Sequence, residues 1–198
     1  MKKYIYVLIL IFFSSTLSAE GLYGGIGYLK SETKIYKYPS LTYTEYDDED
    51  SGFTIFVGYD YNERFAVELG FVDLGDTKAS VSESGGLTAD HDTKVMTLAG
   101  LLKTDPIAEN IVLFVKAGLA RIDDDEEISG ASTNSSNIKT TDVFYGLGVD
   151  YVLPNGLIVR GLYEDQGKTD DLTDINSSEN KLDKIELNAI SLSLIKKF

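Results

Sequence analysis

Four single charges interrupt otherwise apolar runs: Glu68 in FAVELGF (65–71), Lys116 in LFVKAGL (113–119), Asp150 in GLGVDYV (146–152) and Arg160 in LIVRGLY (157–163). Such charges in a dry interior are costly, so they must pair or meet water. Two acids and two bases suit mutual neutralisation. Other reactive chemistry is sparse. His91 is the only histidine and stands in Asp90-His91-Asp92, which reads as a polar loop. Ester hydrolysis by a serine needs a histidine base within hydrogen-bond reach, itself oriented by a third group. No serine-bearing strand beside His91 answers that description, so no catalytic residue is assigned. The acidic runs Asp47-Asp48-Glu49-Asp50 and Asp123-Asp124-Asp125-Glu126-Glu127 offer oxygen ligands of the kind calcium prefers. They lack the alternating ligands and central glycine of an EF-hand and read as solvated loops. No metal or cofactor is expected.

The elements that would position the four charges are strands. From Gly52 to Gly75, Phe53, Ile55, Val57, Tyr59 and Tyr61 share one face of a first strand, and Val67, Leu69 and Phe71 one face of a second. Strand side chains alternate sides, so Glu68 points away from that apolar face. The same period appears at 22–28, 95–103, 111–121, 143–152, 157–163 and 190–198, giving eight strands. Short turns follow Tyr61, Lys103 and Val152, whereas long polar connections cover about 31–51, 75–94, 122–141 and 164–184. Alternating short and long connections are what an outer-membrane barrel shows. The reading is an all-β, eight-stranded antiparallel up-and-down transmembrane β-barrel with four acidic extracellular loops. A soluble carrier barrel would place apolar residues inside, opposite to what Glu68, Lys116, Asp150 and Arg160 require. Two register questions stand out: residues 95–103 fit either parity, and Ile185, Leu187 and Ala189 run out of phase with Ile190 onward, as a bulge near Ala189 would produce.

Residues 1–19 read as a cleaved secretory signal, with Lys2 and Lys3 before a short apolar run and Ala19 at the cut; residues 20–198 read as one barrel domain. The apolar run is too short to span a bilayer, which needs roughly 20 residues. Absence of cysteine removes disulfides, thiolate chemistry and an acylated lipoprotein terminus. The net charge of -14 falls to -16 once the two signal lysines leave, which excludes nucleic acid as a natural partner.

At these residues the chain resembles the OmpA-type outer-membrane barrel domain, most specifically in FVGYDYNERFAVELGFVDLG (56–75), LFVKAGLARID (113–123), YGLGVDYVLPNGLIVRGLYE (145–164) and ISLSLIKKF (190–198). The resemblance implies a charge cluster across a narrow lumen, formed by Glu68, Asp150 and Arg160 with Lys116 as a further inward base. A lysine expected on the fourth strand has Gly100 in its place. It also implies an assembly signal read by the barrel-insertion machinery, carried by Phe198 with Leu194 and Leu192 on the alternating apolar face; Lys196 stands where a second aromatic is usual. No peptidoglycan-binding domain follows, so the resemblance implies a stand-alone barrel. The expected protein is a monomer in the outer membrane of a Gram-negative bacterium, in contact with outer-membrane lipid and lipopolysaccharide. Its expected role is structural and interactive, through surface loops that meet an unidentified ligand. A small pore or transporter ranks second, and a lipid A-modifying enzyme third.

Overall fold

The computed structural model describes residues 21–36, 45–46, 49–81, 87–129, 134–169 and 184–198. The strands are β1 (Leu22–Tyr36), β2 (Glu45–Tyr46), β3 (Glu49–Asp60), β4 (Phe65–Val81), β5 (Leu87–Lys103), β6 (Ile111–Ser129), β7 (Asn134–Val152), β8 (Ile158–Thr169) and β9 (Lys184–Lys197). Apart from β2, a two-residue addition on β4, each pairs antiparallel with its neighbours, and β1 closes on β9. The result is a closed eight-stranded barrel. Following cross-strand partners from Leu22 through Tyr59, Val67, Gly100, Ala117, Tyr145, Asp165 and Asn188 returns to Glu32, ten residues along the starting strand. That stagger sets a strand tilt of about 42° and leaves an interior that side chains can fill.

The outer surface carries the lipid-facing pattern. Ile26, Val57, Val67, Leu69, Leu98, Val115, Leu147, Leu192 and Leu194 are large apolar residues turned outward and exposed. Aromatic residues bound this band at both ends. Phe53 and Tyr59 on β3, Phe65 and Phe71 on β4, and Tyr145 and Tyr151 on β7 are each six residues apart along their strands. At a tilt of about 42° that spacing separates the two belts by about 15 Å, within the roughly 25 Å apolar band of such barrels.

The strands run well past the upper belt, which corrects the expectation of four long polar loops. Most of 75–94 and 122–141 is strand, as are 31–36, 49–51 and 164–169: β4 reaches Val81, β6 reaches Ser129, and β7 begins at Asn134. A bilayer crossing takes about ten tilted residues, whereas β6 and β7 have 19 each. Beyond the membrane the polarity of the two faces inverts. Below, Glu68, Thr97, Lys116 and Ser193 point inward and apolar residues outward; above, Leu29, Leu74, Val95, Ile122 and Leu187 are buried inside while Lys30, Asp73, Lys94, Arg121 and Asp123 lie on the other face. Each such buried aliphatic side chain contributes roughly 1.5–3 kcal/mol relative to exposure, so the projecting strands carry a core of their own. Polar composition alone made them look like loops.

The same inversion answers both register questions. In β5, Val95, Thr97, Ala99 and Leu101 face inward and Met96, Leu98 and Leu102 outward. In β9, pairing with β1 is unbroken from Lys197 to Lys184, so there is no bulge at Ala189. Leu187 and Ala189 are apolar because they line the upper lumen, and Ser191 and Ser193 continue the same face in the polar lumen below. The irregularity lies on the neighbouring strand, between Asp165 and Lys168 of β8, with a second one between Asp73 and Asp76 of β4. These two bulges sit on opposite sides of the barrel and are built alike. Gly75 and Gly167 hold φ of 85° and 97°, which suits glycine. Their N–H groups donate to Asp73 Oδ1 at 3.1 Å and Asp165 Oδ1 at 3.0 Å. A Cβ on Gly167 would lie 2.9 Å from Asp142 Oδ2, and one on Gly75 would collide with Asp50.

Candidate functional site

All four predicted charges meet in the lumen. Asp150 and Arg160 are direct partners across β7 and β8, and the guanidinium donates through Nε to Asp150 Oδ1 at 2.7 Å and through Nη2 to Oδ2 at 2.9 Å. This two-pronged geometry is the strong form of such a pair. Nη1 of Arg160 donates to Glu68 Oε1, which also accepts the Tyr23 hydroxyl at 2.8 Å. Lys116 Nζ lies 3.3 Å from Glu68 Oε2 and 2.9 Å from Glu164 Oε1. Arg160 is 1% exposed and Glu68 1%. The guanidinium sits 4.4 Å from the Phe114 ring centroid and 5.4 Å from that of Phe56, so aromatic faces cover what the carboxylates do not.

Several members were not anticipated. Tyr23, Glu164 and Gln166 belong to the cluster, Gln166 Nε2 donating to Glu164 Oε2 at 3.1 Å. Parity along β8 carries the signal, since Arg160, Glu164 and Gln166 share one face; treating residues from 164 onward as loop concealed it. The fourth strand of the ring does carry an inward lysine, one layer below the cluster. Gly100 lies on the outward face with Leu98 and Leu102, so it is not the lumen position. Lys103 is the inward base, 2.5 Å from Asp60 Oδ1 and 5.3 Å from the Tyr23 ring centroid. Asp60 Oδ2 accepts Lys197 Nζ at 2.7 Å. A second ionic layer thus closes the short-turn end.

Three layers fill the barrel from the short-turn end upward: Asp60 with Lys103 and Lys197, then the cluster around Arg160, then the apolar cap of Leu29, Val72, Val95, Ala120, Ile122, Phe144 and Leu187. Charges held in fixed pairs beneath a packed apolar layer resist the entry of hydrated ions, which would have to break both.

His91 is not in a loop: its backbone is part of β5, paired with Thr77 and Glu126. Asp123, Asp124 and Asp125 likewise lie in β6, where alternation turns Asp124 inward, buried and accepting from Thr93 Oγ1 at 2.8 Å, while Asp123 pairs with Lys139 at 2.8 Å. Neighbours on opposite faces cannot converge on one ion. Glu49 and Asp50 open β3, and Asp47 and Asp48 lie outside the described residues, as does the 1–19 segment. Of the C-terminal residues, Leu192 and Leu194 face outward, and Phe198 N–H donates to Leu22 O at 2.9 Å, tying the end of the chain to its first strand.

Solved structures share this architecture. Ail, the attachment invasion locus protein of Yersinia pestis, is 19% identical, with 89% of this chain and 99% of that chain covered and a TM-score of 0.54; it has also been determined in complex with the heparin analogue sucrose octasulfate. Neisserial surface protein A matches at 14% identity over 90% of this chain and 98% of that chain, TM-score 0.57. The outer-membrane protein OprG of Pseudomonas aeruginosa matches at 13% identity over 90% and 97%, TM-score 0.56. At these identities the likeness shows the fold alone, and no curated protein matches the chain. The OmpA-like transmembrane domain model matches residues 18–195, which spans every strand of the ring, and with the closed barrel, the apolar belt and the charged lumen it places this protein in the OmpA-like transmembrane domain family.

Proposed function

We propose that this protein is a monomeric, non-catalytic barrel of the Gram-negative outer membrane whose work is done by the strand extensions above the lipid. The observation that carries this reading is the filled lumen. An ionic layer, a paired charge cluster and an apolar cap fill the described lumen, while β4 to β7 continue past the belt in a sequence richer in acids than in bases. Residues 1–19 act as a cleaved signal in this reading, outer-membrane lipid and lipopolysaccharide surround the belt, and Phe198 with Leu194 and Leu192 is read by the insertion machinery. Ail has been seen with a sulfated heparin analogue, but a net charge of -14 favours a cationic surface over a polyanion here.

The test compares the protein refolded in vesicles with a variant whose β6–β7 hairpin is trimmed above the Asp123–Lys139 pair. Intact protein is expected to bind immobilised polylysine more strongly than heparin, in a salt-dependent way, with the trimmed variant binding less. Planar-bilayer recordings on the same samples are expected to show no steady conductance. Stable channel openings that respond to Arg160→Ala would replace the surface reading with a pore.

A further inference from the structure

The β8 bulge changes which strands hold the wall above it. β7 and β8 pair from Val152 and Ile158 up to Tyr145 and Asp165. Past the bulge, β8 stays with β9, Lys168 against Glu186 and Thr169 against Ile185. β7 nonetheless continues to Asn134, paired with β6 in a register unbroken as far as Ile128. Among the described residues, Asn134 to Thr141 therefore has a neighbouring strand on one side only. The opposite bulge is followed by β2, which takes up β4 again through Glu45 against Ser80 and Tyr46 against Ala79.

The ladder decides which groups this edge presents. Val152 N–H donates to Asn110 O at 2.8 Å on the β6 side, and Leu153 N–H donates to Leu157 O at 2.8 Å on the β8 side. Antiparallel pairing alternates, so even-numbered residues of β7 exchange hydrogen bonds with β6 and odd-numbered ones turn the other way. Ser135, Asn137, Lys139 and Thr141 thus aim both N–H and C=O away from β6, above Tyr145 of the upper belt. Proteins blunt such edges with prolines, bulges, short length or projecting lysines. This one has neither proline nor bulge, and its single lysine, Lys139, is held by Asp123 at 2.8 Å.

We propose that the β7 edge takes an extended lysine- or arginine-rich segment of another protein as an added strand of the sheet. This rests on the surface reading above and names how that surface engages its partner. Main-chain hydrogen bonds hold the segment, and charge selects it. Between Arg121 and Ser129, β6 carries Asp123, Asp124, Asp125, Glu126 and Glu127 and no base. An added strand lies two strand spacings from β6, about 10 Å, which is about one screening length at 0.1 M salt. A second copy of the chain does not fit. In two barrels inserted the same way, strands tilted by about 42° meet at about 84°, far from the alignment that pairing needs.

The experiment measures fluorescence anisotropy of a labelled peptide of about ten residues, alternating lysine and threonine, with the full chain refolded in zwitterionic vesicles. Its control is the same peptide N-methylated at every internal residue, which keeps the charge and removes the main-chain donors. The unmodified peptide is expected to bind about tenfold more tightly, or better. Asn137→Pro removes one edge donor and no hydrogen bond to β6, so it should weaken the unmodified peptide about threefold without moving the unfolding midpoint. Ser135→Pro, near the end of the strand, gives the same readout where Asn137→Pro disturbs folding. Asn137→Ala keeps the N–H and should bind as wild type does. Equal binding of the two peptides, or proline variants that bind like wild type, overturns the edge proposal while polylysine binding keeps the surface reading. Polylysine binding with no peptide binding also overturns the edge proposal. Loss of polylysine binding overturns the surface reading and this proposal with it.

Discussion

Arg160→Met removes the centre of the lumen network while keeping much of the side chain's volume. Arg160 makes three charge-assisted hydrogen bonds, two to Asp150 and one to Glu68. Glu68 retains Tyr23 and Lys116 after the change, but Asp150 loses both of the donors that hold it. Stranding a buried carboxylate costs about 3–5 kcal/mol, and a value of about 4 kcal/mol corresponds to roughly a thousandfold shift toward unfolded protein. The chain has no tryptophan, so urea unfolding of the vesicle-refolded protein is best followed by far-UV circular dichroism and by the heat-dependent gel shift. The decisive companion is the double variant Arg160→Met with Asp150→Asn. It removes the stranded charge and is expected to recover about 2 kcal/mol or more of the loss. A single variant within about 1 kcal/mol of wild type, or a double variant whose losses simply add, would refute the argument that paired charges hold the lumen.

The polarity inversion predicts opposite outcomes for two adjacent positions of β6: Ile122→Ala should cost about 2–5 kcal/mol by opening a cavity in the cap, whereas Arg121→Ala on the exposed face should stay within about 0.5 kcal/mol, both read by urea midpoints. Gly167→Ala should destabilise by more than about 1 kcal/mol, because alanine is strained at φ 97° and its Cβ meets Asp142. Gly100→Ala, with nothing within 4 Å of the added carbon, serves as the neutral control in the same measurement. Deleting Phe198 is expected to reduce the membrane-extracted, heat-modifiable fraction in cells more than it lowers the stability of protein refolded in vitro; unchanged assembly in cells would remove the signal role.

Strand alternation made the lower barrel legible without coordinates. Period 2 with one apolar face located Glu68, Lys116, Asp150 and Arg160 on the enclosed side, and the structure brings all four together. A neighbouring face was misread at Gly100, because both faces of 95–103 are largely apolar and only Thr97 and Lys103 mark the inward one. Pairing with β6, which sets Leu98 against Leu119 and Gly100 against Ala117, settles that Lys103 is the inward base. The upper barrel was misread for a different reason. There water replaces lipid outside, the outward residues become charged, and a strand with Arg121, Asp123 and Asp125 on one face looks like a loop unless Ile122 and Asp124 are recognised as lining a lumen.

The sequence by itself determined what depends on local periodicity: an antiparallel barrel, its lipid-facing band, the short-turn end and the charges inside. Only the tertiary structure decided what depends on closure. Joining β1 to β9 ties Phe198 to Leu22 and brings Lys197 to Asp60, contacts across 176 and 137 positions that no local pattern encodes. Closure also sets a ten-residue stagger, which fixes which inward side chains share a level. That levelling separates the Asp60 ionic layer, the Arg160 cluster and the apolar cap.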